Sequence, residues 1–132
     1  MTLTITFRSA RRAGACAPSY RKLAKALGGV RKYGENTPIP LWRVLEVLGL
    51  NDVLWATQCI PPEQADEKRR VMSTFIADML EHILPMLTDE RSRAVIPLLR
   101  RHAVAPVPLD ELRAAGVAAG AAWRARADAA DA

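Results

Sequence analysis

The sequence predicts an all-α fold, a compact bundle of about five to six helices, and three observations support this. Alanine and leucine supply most of the apolar residues, and aromatic residues make up only 5% of the chain, which favours helix over sheet. Large apolar residues recur every three or four positions between Val71 and Ile83, the period of an amphipathic helix. Gly49 separates two short apolar segments, as glycine does between two packed helices.

The N-terminal segments are predicted in order from local signals. Residues 2–7 alternate threonine with apolar side chains, and one unpaired strand is not stable alone. They therefore form either a short extended arm or the lead-in to a short helix over residues 8–15. Ser19 is the expected N-cap of the next helix, which Gly28 and Gly29 end. Residues 30–40 are expected to be a loop.

Proline and glycine set the limits of the following elements. Pro40 suits the first turn of a helix over residues 41–48, which Gly49 ends. Asn51 or Asp52 is expected to cap a second short helix, which ends before Pro61 and Pro62.

Three further helical segments follow. The first covers residues 63–83 and ends near Pro85. The second starts at residues 88–90 and should bend at Pro97. After a linker over residues 103–108, an alanine-rich helix covers residues 109–130.

The apolar stripes of these helices predict one shared core. Its expected members are large residues from the middle of the chain: Trp42, Leu45, Leu48, Leu54, Trp55, Phe75, Leu80 and Ile83.

Positive charge is concentrated in the first half of the chain. Residues 1–62 carry nine Lys or Arg against three Asp or Glu, and residues 63–132 carry ten against eleven. We therefore predict a basic N-terminal segment (1–62) and a second helical segment (63–132), packed as one compact unit. The basic excess fits an acidic or nucleic-acid partner, or it is a solubilising surface.

No residue pattern indicates an enzyme, a metal site or a cofactor site. Cys16, Cys59, His82 and His102 lack the paired spacing of zinc ligands. Gly28-Gly29 follows a helix and lacks the residues of a phosphate-binding loop. No apolar run is long enough to cross a bilayer, and the two cysteines suggest no disulfide framework, so the expected compartment is the cytoplasm.

The predicted partner-binding residues are mainly the cations of the basic segment. They are Arg11, Arg12, Arg21, Lys22, Lys25, Arg31 and Lys32, together with Trp123. Trp123 either packs across the alanine face of its helix or is a binding hot spot. Sequence-specific reading of DNA is disfavoured, because the candidate recognition helices offer only Arg43 and Gln58 as base readers.

Several short motifs resemble the leading segment of a family of small bacterial and phage proteins. The motifs are Ala13-Gly14-Ala15-Cys16, Tyr20-Arg21-Lys22-Leu23, Tyr33-Gly34, Thr37-Pro38-Ile39-Pro40-Leu41 and Leu54-Trp55. In that family the segment precedes a helical domain described as an immunity protein. Residues 77–85, Ala94-Val95-Ile96 and the alanine-rich run at 109–130 are similar to a shortened form of that domain, which usually has a longer tail.

The resemblance implies a non-catalytic inhibitor that binds its target and blocks it. The target would be a toxin, or a host defence effector such as a CRISPR complex, and the gene would belong to a phage or another mobile element. The alternative is a basic helical protein that binds nucleic acid.

Overall fold

A computed structural model describes residues 2–130 of the chain. Within these residues the fold is all-α, as the sequence predicts, with nine α-helices and one pair of two-residue strands. The strands are β1 (Thr4–Ile5) and β2 (Ile39–Pro40). The helices are α1 (Phe7–Arg12), α2 (Ala17–Ala26), α3 (Val30–Tyr33), α4 (Leu41–Leu48), α5 (Leu50–Ala56), α6 (Ala65–His82), α7 (Glu90–Arg93), α8 (Val95–Val104) and α9 (Leu109–Ala130). Their number exceeds the prediction of five to six, because short turns such as α3 and α7 form separate elements.

The chain divides into two compact units, Met1–Lys68 and Arg69–Ala132. They are called the N-terminal unit and the C-terminal unit below. The boundary falls inside α6, six residues beyond the one predicted at 62/63. In the part of the chain that the structure describes, no helix combines the length and the apolar character needed to cross a membrane.

The N-terminal strand has a partner that the sequence analysis placed in a loop. β1 pairs antiparallel with β2, with Thr4 opposite Pro40 and Ile5 opposite Ile39. The Gln64 side chain also binds Thr4. Its Oε1 accepts the Thr4 N–H at 2.9 Å, and its Nε2 donates to Thr4 Oγ1 at 3.0 Å. The arm is therefore fixed, although each strand is only two residues long.

The core of the N-terminal unit forms around this strand pair. Its largest fully buried side chains are Ile5, Phe7, Ile39 and Val44. The Phe7 ring meets the ring of Tyr20 edge-on at a centroid distance of 5.4 Å and that of Tyr33 at 6.0 Å. Phe7 thus joins α1 to α2 and α3 through one buried side chain.

The prediction for this unit identified the wrong buried face of α4 and α5. Trp42, Leu45, Leu54 and Trp55 are exposed, Trp42 by 56%, and Leu48 is half-buried. α4 buries Val44 instead, which lies about 160° around the helix from Trp42 and about 100° from Leu45. α4 carries large apolar residues on both sides, so their periodicity alone could not identify the inner side.

Two predicted helix caps are also wrong. α2 begins at Ala17, with Cys16 at the N-cap position, so Ser19 lies inside its first turn. α5 begins at Leu50, directly after Gly49, whose φ of 90° allows the sharp turn. Instead of capping their helices, Ser19 and Asp52 join them, because Ser19 Oγ donates to Asp52 Oδ2 at 3.0 Å.

In the C-terminal unit, α6 buries small side chains and not the predicted large ones. Ser73 and Ala77 are buried, whereas Phe75 and Ile83 are more than one-third exposed and Leu80 is half-buried. The predicted burial of these three residues in a common core is therefore wrong. Small side chains on the inner side of α6 allow another helix to approach closely.

Polar contacts join α6 to α8. Arg69 Nη1 donates to the carbonyl oxygens of His102 and Ala103, where the C-terminal end of α8 favours a cation. Arg100 forms ion pairs with Asp78 at 2.6 Å and with Glu81 at 2.8 Å.

The helix predicted from residue 88 onward is interrupted at Ala94. Asp89 caps α7 by accepting the Arg91 backbone N–H at 2.9 Å. α8 then starts at Val95, so Pro97 lies in its first turn, where a missing N–H costs no helical hydrogen bond. The predicted bend at Pro97 is therefore wrong in position, because the helix is interrupted at Ala94, three residues before it.

We predict that the Phe7→Ala variant is strongly destabilised. Phe7 is 0% exposed, so truncation leaves a cavity between three helices and should lower the free energy of unfolding by about 3–5 kcal/mol. Trp42→Ala in the same unit is the control and should cost less than about 1 kcal/mol. Denaturant unfolding measures both, and equal losses would contradict this assignment of the core.

A second prediction concerns Glu35, which joins the loop before β2 to α1. Hydrogen bonds from Arg8 and then Arg11 lower the pKa of the Glu35 carboxyl, and Arg11 Nη2 lies 2.8 Å from Glu35 Oε2. A carboxyl whose pKa is lowered by folding stabilises the fold above its unfolded pKa. That contribution disappears as pH falls through the folded pKa.

The Glu35→Gln variant should therefore be less stable than the native chain at neutral pH. The difference should shrink as pH falls through the folded pKa of Glu35. Thermal unfolding from about pH 7 to about pH 3 measures this. A difference independent of pH would contradict the ion pairs.

Candidate functional site

Helix α2 presents three cations on the side opposite its buried residue. Successive residues turn by about 100° around a helix, so Arg21, Lys22 and Lys25 fall on one side and Leu23 on the other. Leu23 is buried in the core of the N-terminal unit, and the three cations are exposed. The burial of Leu23 therefore fixes the direction in which the cations point.

Helix α3 adds two more exposed cations, Arg31 and Lys32. Gly28 and Gly29 both have positive φ, 86° and 98°, a conformation that favours glycine. Lys32 lies close to this turn, since a Cβ placed on Gly28 would lie 3.5 Å from Lys32 Cδ. We call the set Arg21, Lys22, Lys25, Arg31 and Lys32 the basic surface.

The cations of the basic surface have no acidic partner in the chain as described. Among the predicted site residues of the N-terminal unit, Arg11 alone forms an ion pair within residues 2–130. Its partner is Glu35, which also binds Arg8. Arg12, at the end of α1, is exposed and likewise forms no ion pair among the described residues. Arg11 therefore differs from the other predicted cations, because it is paired with an internal carboxylate that it shares with Arg8.

Five large apolar side chains of the same unit are exposed among the described residues, Trp55 and four that form two pairs. Trp42 and Leu45 lie three residues apart on α4, and Leu50 and Leu54 lie four apart on α5, so each pair shares one side of its helix. Their exposure was not predicted. α4 and α5 contain more large apolar residues than one buried face can hold. This excess was the feature of the sequence from which their exposure could have been predicted.

Trp123 belongs to the C-terminal unit and is 68% exposed. It lies beside a concavity of about 370 Å³ formed with residues that include Leu87, Ser92 and Ala122. Arg126 closes one side, since its Nη1 donates to the Met86 carbonyl at 2.9 Å. Of the two interpretations of Trp123, exposure agrees with a surface role and disagrees with packing across the alanine face.

The cysteines and histidines lie in dissimilar environments. Cys16 is exposed at the start of α2, where interaction with the side chain and then the backbone of Ser19 lowers the pKa of its thiol. Cys59 is buried, and burial raises the pKa of its thiol. His102 Nδ1 accepts the Val107 N–H at 3.0 Å. Among the described residues, no three His, Cys, Asp or Glu side chains are grouped so that they could hold a metal ion.

Comparison with known proteins gives no relative for this chain. No family model, no curated protein and no solved structure matches it. The resemblance to immunity proteins therefore remains a prediction from the motifs.

Proposed function

We propose that this chain is a non-catalytic protein that binds an acidic protein partner through its N-terminal unit. The observation that supports this best is the presence, in one compact unit, of five cations without acidic partners and two pairs of exposed large apolar side chains. Apolar and cationic residues together are the composition of a protein-binding surface, in which arginine and aromatic side chains supply much of the affinity.

The exposed apolar residues favour a protein over a nucleic acid as the partner. A surface that only neutralises phosphates needs cations, and its affinity comes mainly from released counterions. Trp42, Leu45, Leu50 and Leu54 add nothing to that contribution, yet their exposure to water is unfavourable. A protein partner would bury them, and the basic surface of the same unit would select an acidic target.

Inhibition by occlusion is the mechanism that this proposal implies. A standard interface needs about 800 Å² from each partner, which one side of a unit of this size can supply. The motif resemblance supports an inhibitor of the immunity type, whose target would be a toxin or a host defence effector. Such an inhibitor works by covering the active or binding surface of its target, and this requires no catalytic residue, metal or cofactor of its own.

The first test reverses two charges of the basic surface. The products of the genes adjacent to this one are expressed singly, and their binding to the purified chain is measured by calorimetry. In the Arg21→Glu/Lys25→Glu variant, affinity for the partner should fall at least about tenfold. The fold should persist, because both side chains are exposed.

A matched control separates the position of the charges from their number. Arg113 and Arg124 are exposed on α9, in the C-terminal unit. The Arg113→Glu/Arg124→Glu variant has the same net charge as the first variant and should keep its affinity within about twofold. Equal losses in the two variants would show that net charge, and not the basic surface, determines binding.

A second candidate function, binding of nucleic acid, rests on the same five cations. If all five contact phosphates, affinity for a generic duplex should fall on the order of several hundredfold between about 50 mM and 200 mM salt. Fluorescence anisotropy with duplex DNA and single-stranded RNA measures this dependence. Under the main proposal, binding at the higher salt concentration is negligible, and a tight complex there would favour the second candidate.

A further inference from the structure

The N-terminal unit contains a pocket of about 340 Å³ that the proposed protein-binding surface does not use. Its volume falls within the range of small-molecule sites, about 300–1,000 Å³. Most of its wall is apolar and comes from the core elements, including Ile5, Ala10, Val44, Leu48 and Ala56. It is thus a concave site on a packed framework, and not a gap between mobile loops.

One side of the pocket carries a negative charge. Asp52 lines it, and no Lys or Arg is among its lining residues in the described part of the chain. Ser19 Oγ donates to Asp52 Oδ2 at 3.0 Å, which holds the carboxylate in place. Within residues 2–130 the other oxygen, Oδ1, receives no hydrogen bond, so it can accept one from a ligand.

Two aromatic side chains, Tyr20 and Trp55, line the same pocket. The face of an aromatic ring attracts a cation through its quadrupole, most strongly for tryptophan. A carboxylate beside aromatic rings, in a pocket with apolar walls, is the combination that recognises an organic ammonium group. An anion would be repelled by Asp52, and a fully apolar molecule would leave Asp52 Oδ1 without a hydrogen bond.

We propose that this pocket binds a small organic amine, with its ammonium group on Asp52 and its apolar body against the core wall. The basic surface and the pocket then select opposite charges, so the pocket ligand is distinct from the acidic partner proposed above. The site does not depend on that proposal, and binding of an amine can be measured in the absence of any protein partner.

The test uses three probes of nearly equal shape and different charge. Phenethylamine, phenethyl alcohol and hydrocinnamate are titrated into the full chain, and amide chemical shifts are followed by NMR. The amine should bind at least about tenfold more tightly than the alcohol or the acid. The shifts it causes should centre on residues that line the pocket. An alcohol or acid that binds as well as the amine would overturn the proposal, as would no saturable binding up to about 10 mM.

Two variants locate the charge that matters. Asp52→Asn keeps an oxygen that can accept the Ser19 hydrogen bond, and it should reduce amine affinity to the level of the alcohol. The control is Glu46→Gln, which removes a carboxylate of α4 that pairs with Arg43 at 3.0 Å outside the pocket. Its amine affinity should stay unchanged. Undiminished binding to Asp52→Asn would overturn the proposal, and if that variant does not fold, the probe series on the native chain decides.

Discussion

The Phe7 ring is completely buried, and the rings of Tyr20 and Tyr33 meet it edge-on. These three residues belong to α1, α2 and α3, so one aromatic cluster fixes the order and the rotation of three short helices. Helices of four to ten residues are not stable alone in water, and their stability has to come from such packing. The cations of the basic surface lie on the other sides of α2 and α3, and their directions follow from this cluster.

The N-terminal unit contains more large apolar residues than its small core can hold. A unit of this size buries a smaller share of its surface than a larger domain does, and α4 and α5 present the excess to solvent. The unit thus combines a core built on Ile5, Phe7, Ile39 and Val44 with an outer set of apolar residues. The positive charge of α2 and α3 offsets the tendency of such a surface to self-associate, since copies of the same basic surface repel each other.

Local signals in the sequence were enough for the fold class and for several helix limits. α4 occupies residues 41–48 as predicted, because proline fixes its start and glycine its end. The errors concern contacts between distant parts of the chain. The residues that pair in β1 and β2 are 34 positions apart for Ile5 and Ile39 and 36 for Thr4 and Pro40, and nothing local marks a two-residue strand. The capping preference of Ser19 was overridden by a hydrogen bond to Asp52, 33 residues further on.

In the candidate site, too, local features could be predicted from the sequence and contacts between distant residues could not. Exposure of the cations could be predicted, because charged side chains off an apolar stripe remain in water. The pairing of Arg8 and Arg11 with Glu35 could not be predicted, since these ion pairs span 27 and 24 residues. The buried side of α4 was also beyond prediction, because a helix with apolar residues on two sides is oriented only by its neighbours.

The contrast between the two cysteines gives the chain a built-in position for chemical labelling. A thiolate reacts with maleimides and iodoacetamides far faster than a thiol does. The hydrogen-bonded, exposed Cys16 should therefore be modified well before the buried Cys59, whose environment disfavours the thiolate. Cys16 also lies in the lining of the pocket that contains Asp52. A fluorophore attached there would report on the occupancy of that pocket without any engineered substitution in the chain.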